Sequence, residues 1–289
     1  MTLSRVAAGD IALGLKIWGD GPVTVLFIHG NLACKEWIEL AAPNFPLGVR
    51  TIALDWRGCG DSDRPPPRAD FANYSIAQHA ADMLAALDTL GIDFCHLATH
   101  STGGIIATRM LLAQPDRFGR VFHLDPVSPR SIAFTADHIK VFAGMKANPA
   151  FARTVMATTA PSLFDPKSFG TPEGPRLRAD AGPRGALFDT ILARTLSVSD
   201  GIWFGTPHTL TAEFDSGELA ARMDAIPHPH LVAWGERDGI IDVRDLEAMC
   251  AAMPDCRLVR VPGIGHSLNL EMPDLYAGLF GAWFGGLAR

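Results

Sequence analysis

Val23-Thr24-Val25-Leu26-Phe27-Ile28 is a nearly continuous apolar run with no alternating polar face. That is the pattern of a strand covered on both sides, and it constrains the fold more than any other feature. Val49 to Leu54 repeats it, and shorter apolar strands follow before Ser101, at Val121 to Leu124, at His230 to Trp234 and at Arg257 to Val261. Helical periods lie between them. Tyr74 to Leu90 places Ile76, Ala80, Met83, Leu84, Leu87 and Leu90 on one face and stops at Gly91. Further helices are expected after Ser101, at Val243 to Met253 and at Leu275 to Phe284. Ser4 to Ala8 and Ile11 to Trp18 read as a hairpin around Gly9-Asp10. This alternation predicts an α/β chain: a mostly parallel central sheet with helices on both faces.

Between residues 128 and 226 the rhythm breaks. Short helices are expected at Ile132 to Ala147, Ala150 to Thr158 and Ala186 to Ser197, separated by links rich in proline and glycine such as Asp165 to Pro175. Asp215-Ser216-Gly217-Glu218 reads as a capping-box start of one more short helix. Phe134, Phe142, Phe151, Phe164, Phe188, Trp203 and Phe204 supply apolar surface without a strand pattern. The stretch is too small to be stable alone, so residues 128–226 are expected as a helical lid inserted into a core of residues 1–127 and 227–289.

The 289 residues fit one large domain with an insertion, and hydrophobic and charged shares of 48% and 19% fit a globular core. A net charge of -6 with no Lys/Arg cluster argues against nucleic acid as a partner. Five cysteines, an odd number with no C-x-x-C spacing, suggest reduced thiols in a cytosolic protein. No run has signal-peptide or membrane-spanning character, so a soluble cytoplasmic protein is expected. Trp283 and Phe284 fit either the core or a subunit interface.

Phe94 to Ala107 reads as strand, sharp turn at Ser101, then helix. Such a turn lifts a serine hydroxyl into a cleft, and Gly103 and Gly104 let strand and helix pass closely. Free N–H groups at the helix start would stabilise an oxyanion formed by serine attack. The simpler reading is that Ser101 only caps the helix. Two later turns favour chemistry. Asp238 follows the strand ending at Trp234, and His266 follows the strand ending at Val261. Carboxyl ends of parallel strands share one edge, so Ser101, Asp238 and His266 can meet there as nucleophile, orienting acid and general base.

The matching pieces are His29-Gly30-Asn31, Asp55-x-Arg57-Gly58-x-Gly60-x-Ser62, His100-Ser101-x-Gly103-Gly104, Gly235-x-x-Asp238 and Gly263-x-Gly265-His266, in the order serine, acid, histidine. Over nearly its whole length the chain resembles the α/β-hydrolase fold family, in particular esterase- and lactonase-like members with a serine nucleophile and a helical lid. The resemblance implies an oxyanion hole of the Asn31 and Thr102 backbone N–H groups. One position departs from it: Thr99 stands where the family usually has glycine.

Asp125 also ends a strand, and some relatives of this fold carry their triad acid there; otherwise it shapes the pocket or a lid hinge. Asp242 is expected to begin the following helix. His29 and His100 fit structural hydrogen bonding, although His100, with Cys34, Trp37, Trp203 and Phe204, is a candidate for the substrate pocket. His228-Pro229-His230 has no third ligand in a metal-binding spacing, so no metal is expected. No G-x-G-x-x-G follows a strand as a dinucleotide site requires, so no cofactor is expected. The expected partner is a small, largely hydrophobic ester or lactone, cleaved through an acyl-enzyme. Carbon–carbon bond hydrolysis, acyl transfer, amide hydrolysis and perhydrolysis fit the same triad. A small-molecule receptor with a slow triad is the alternative of another class.

Overall fold

The computed structural model of the chain describes residues 4–287, so the outermost residues of the expected core lie outside it. Strands β1 (Arg5–Ala8) and β2 (Ile11–Trp18) form the expected antiparallel hairpin. Then come β3 (Val23–Ile28), β4 (Val49–Leu54), α1 (Ile76–Thr89), β5 (Cys95–His100), α2 (Gly103–Ala113) and β6 (Phe118–Leu124). Four helices follow without a strand between them: α3 (Ala136–Ala147), α4 (Pro149–Ala157), α5 (Gly182–Leu196) and α6 (Thr206–Ser216). The sheet resumes with β7 (His230–Gly235), α7 (Val243–Ala252) and β8 (Cys256–Val261), and α8 (Leu268–Glu271) and α9 (Pro273–Phe284) close the chain.

The strands form one eight-stranded sheet in the order β1-β2-β4-β3-β5-β6-β7-β8, parallel from β4 to β8. Every side chain of β3 is buried, as its unbroken apolar run requires. Helix α1 buries Ile76, Ala80, Met83 and Leu87, its periodic face, and Ser75 caps it by accepting the Gln78 N–H at 3.1 Å. The register aligns the strand ends that matter. Ile28 pairs with Thr99, His100 with Leu124, Leu124 with Ala233, and Gly235 with Val261. The loops leaving β3, β5, β6, β7 and β8 therefore emerge along one edge.

Two expectations are corrected. Asp215 to Glu218 forms no capping box: Asp215 and Ser216 end α6, and the short 3-10 helix expected after them, Ala220–Ala225, begins from Leu219 without a side-chain cap. Gly217 adopts φ +62° after α6 and donates its N–H to Glu213 O, a left-handed C-cap that glycine takes without steric cost. The cysteines are not all free thiols, because Cys250 and Cys256 are joined as a disulfide between α7 and β8, while Cys34, Cys59 and Cys95 are buried thiols. Among the described residues no helix is long and apolar enough to cross a membrane.

Candidate active site

Ser101 occupies the turn between β5 and α2 with φ +52°, in the left-handed region that costs a non-glycine residue about 1–3 kcal/mol. The surroundings hold it there. Its N–H donates to Leu124 O at 3.0 Å, and its carbonyl accepts the Gly104 and Val127 N–H groups at 2.9 and 2.8 Å. Helix α2 then passes so close to β3 that a Cβ on Gly103 would lie 2.2 Å from Ile28 O. Only glycine fits that position.

Thr99 is fully buried, and its Oγ1 shares a 2.7 Å hydrogen bond with His123 Nδ1 on β6. His123 Nε2 in turn shares a 3.0 Å hydrogen bond with His230 Nδ1 on β7. The departure from glycine is thus absorbed by a polar line crossing three strands beneath the elbow.

Beyond β8, His266 is buried and its Nδ1–H donates to Asp238 Oδ2 at 2.7 Å. That bond fixes the tautomer, leaving Nε2 as a lone pair. Asp238 is itself held, since its Oδ1 accepts the Ile240 N–H at 2.7 Å and the Ile241 N–H at 3.3 Å. Burial alone would pull the His266 imidazole down, but the Asp238 carboxylate and its hydrogen bond outweigh burial and hold it above its ordinary value. The backbone of His266 is also fixed, because His100 Nε2–H donates to its carbonyl at 2.8 Å.

Ser101, Thr102, Asn31 and His266 line one cavity of about 390 Å³. Trp37 and His100, stacked with ring centroids 4.9 Å apart, line it too. Its far wall is apolar and comes from the segment between β6 and β7: Ile132, Phe134, Phe142, Met145, Met156 and Leu210. No Lys or Arg is among the lining residues.

Four residues expected near substrate sit elsewhere. Trp203 and Phe204 do not line the cavity; they belong to a π-helical turn, Gly201–Gly205, that packs against α3, α6 and the Ala72–Tyr74 turn. Cys34 is fully buried under the loop after β3, where burial and then the Glu36 and Asp55 charges push its thiol up. Asp125 is not a lining residue either, but stands behind His266, beside Asp238. Among the described residues Asp125, Asp238 and His266 form the one group of possible metal ligands, and His266 Nδ1 is already committed to Asp238. His228 and His230 turn apart, to Pro115 O and His123 respectively.

The sequence reading missed Glu271, a fully buried carboxylate whose oxygens accept the Gly265 N–H at 2.8 Å and the Ser162 N–H at 2.9 Å. It ties the His266 loop to the inserted segment, and burial raises its pKa. A single Glu at the end of an apolar stretch carries no sequence signal of such a role.

A family model described as the alpha/beta hydrolase fold matches residues 23–273. A fluoroacetate dehalogenase from Burkholderia sp is 33% identical over 111 residues, 38% of this chain and 36% of that protein. Matches to it and to several epoxide hydrolases of Siraitia grosvenorii span only 36% to 41% of those proteins' length. A 2-hydroxy-6-oxononadienedioate/2-hydroxy-6-oxononatrienedioate hydrolase from Comamonas testosteroni is 24% identical over 285 residues, 96% of this chain and 92% of that protein. A thermophilic esterase from Thermogutta terrifontis superposes with a TM-score of 0.74 at 21% identity, covering 96% of each chain. Such a structural likeness speaks for the fold alone, while the family model spans most of the chain. The chain belongs to the α/β-hydrolase fold family.

Proposed function

We propose that this chain is a serine hydrolase that cleaves an uncharged, largely apolar carboxylic ester or lactone through an acyl-enzyme. The observation that carries the reading is the strained Ser101 elbow opening into the same cavity as a histidine whose tautomer Asp238 fixes. In this reading His266 Nε2 takes the Ser101 proton during attack on the carbonyl and returns it to the leaving alcohol. The Asn31 and Thr102 backbone N–H groups receive the oxyanion, and water repeats the sequence on the acyl-enzyme. Residues 128–226 act as a cap over a core of 1–127 and 227–289, supplying the apolar wall against which an acyl or alkyl group packs.

Two observations narrow the substrate. A cavity without Lys or Arg among its lining residues offers no permanent positive charge for a carboxylate, which weighs against dianionic diketone substrates such as the one named for the Comamonas relative. Serine at position 101 weighs against dehalogenation. Attack by a serine on an alkyl halide would leave an ether that water does not cleave, whereas an aspartate would leave a hydrolysable ester.

The test is initial-rate turnover of a short-chain chromogenic ester by the wild type and by Ser101→Ala. The variant is expected to lose roughly 10⁴-fold or more in kcat. Equal rates in the two proteins would sink the mechanism. A fluorophosphonate probe should label the wild type at Ser101 and leave the variant unlabelled.

A further inference from the structure

The site holds two buried carboxyl groups, and the reading above uses only one. Asp125 follows β6 directly, is fully buried and adopts φ +44°, a conformation rare for a residue with a side chain. Its backbone N–H donates to Ala233 O at 2.9 Å, so the adjoining β7 fixes its place. The ligand atoms of Asp125, Asp238 and His266 lie within 4.8 Å of one another, so the two carboxyl groups are close neighbours.

Two carboxylates this close in a low-dielectric interior do not both ionise; one keeps a proton. Their hydrogen bonds decide which. Asp238 receives three N–H donors, from His266, Ile240 and Ile241, as an ionised acceptor requires. Asp125 receives one, the Gly235 N–H on Oδ1 at 2.9 Å, while its Oδ2 is buried and receives no hydrogen bond among the described residues. The titratable groups around it are Asp238 beyond β7, His266 beyond β8 and, past His266, Glu271 of α8 and His100 of β5. Among the described residues no Lys or Arg pairs with it.

We propose that Asp125 is a positioning residue held as a neutral carboxylic acid, its Oδ2–H donating to Asp238, so that the pair carries one negative charge and stays aimed at His266. The inference rests on the triad reading above. It agrees with the direction in which burial, opposed by the His266 charge and aided by the Asp238 charge, pushes the Asp125 carboxyl: well above the ordinary range. A neutral Asp125 adds no charge to His266, leaving Asp238 as the anion that the imidazole senses.

The test compares kcat/KM against pH for the wild type, Asp125→Asn, Asp125→Ala and Asp238→Asn on the chromogenic ester. The acid limb of that profile reports the free His266 imidazole. Asparagine copies a neutral acid: its carbonyl can accept from Gly235 and its amide can donate to Asp238. Asp125→Asn should therefore keep the acid limb within about 0.3 pH unit of wild type, because no charge has been removed. Asp125→Ala should be slower by about tenfold, for want of the donated hydrogen bond. A fall of the limb by about one unit or more in Asp125→Asn would show that an anion had been removed and would overturn the proposal. So would a loss in Asp125→Asn as large as that in Asp238→Asn, which would make Asp125 the ionised acid. Infrared spectra of wild type carrying ¹³C-labelled aspartate give a reading that needs neither a variant nor turnover. A protonated-carboxyl band persisting to mildly alkaline pH supports the neutral acid, and its absence refutes it. Failure of the triad reading looks different, as loss of fluorophosphonate labelling at Ser101 in the wild type.

Discussion

His266 is pulled in two directions. Burial disfavours its charged form, and Asp238, 2.7 Å away, favours it; the second effect wins and the imidazole sits above its ordinary value. A general base must be neutral to work, so the rate should rise with pH through that raised value. The acid limb of kcat/KM on the chromogenic ester is expected with its midpoint above about 6.5. Asp238→Asn removes the charge and frees the tautomer, so the midpoint should fall and kcat should drop by about 10³–10⁴. A midpoint unmoved by Asp238→Asn would mean that another group controls the imidazole. The same shift has a small stability corollary of defined sign. The pair adds stability that is complete below the ordinary histidine value and fades as pH rises through the raised one. At this scale the sequence was informative wherever a side chain follows a strand end, because the sheet brings such residues to one edge. It was uninformative about Thr99, whose fit depends on His123, a partner 24 positions away.

Helix α5 is tied to the loop after β3 without lining the cavity. Thr195 Oγ1 donates to Leu32 O at 2.5 Å, and Leu32, next to Asn31, is held at φ +55°. One residue earlier, Arg194 pairs with Asp61 at 2.8 Å, and Asp61 also receives Lys35, whose ammonium is bonded to buried Asp55 at 2.8 Å. The loop proposed to carry half of the oxyanion hole is thereby clamped between β4 and α5. A displaced N–H weakens transition-state binding more than ground-state binding, which lowers kcat and spares KM. Thr195→Val is expected to lower kcat by about tenfold with KM nearly unchanged, and Thr195→Ser to restore it. A rise in KM at constant kcat would instead make α5 a wall of the binding cavity. The existence of α3, α4 and α5 was legible between Ile132 and Ser197 from apolar residues without a strand pattern, set off by proline- and glycine-rich links. Helix α6 was not. Its few large apolar residues, and Asp215-Ser216 near its end, resemble a cap, and Gly217 decides the direction only through its backbone conformation.

The parallel sheet and the side it opens on follow from the unbroken apolar runs, because strands buried on both faces must lie in the interior and join through crossovers, whereas the strand order does not. What those runs do not reveal is how many polar rings the interior also holds. His29, His79, His100, His123 and His230 are all nearly or fully buried. Burial is the largest cause in each case and lowers all five; His79 and His123 come down to about 3. None of their neighbours rescues the charged form. His79 packs against Trp56 and Tyr74 and faces the Arg57 charge, while His123 and His230 are joined to each other. Unfolding returns each ring to water, where it takes up a proton below about 6.5. The unfolded chain therefore binds more protons between that value and the lowered ones, and stability must decrease as the pH is lowered through that window. The cost is about 1.4 kcal/mol per pH unit for each such histidine, and it starts before the paired carboxylates begin to protonate. Thermal melts should thus show a Tm that drops steadily from about pH 6.5 to about pH 4.5, above the carboxylate range. His79→Phe, which replaces a titrating ring by an apolar one among aromatic neighbours, should melt higher than wild type at the acid end and flatten the dependence. A Tm level across that window, or a His79→Phe protein as acid-sensitive as wild type, would show that the buried rings do not govern acid unfolding.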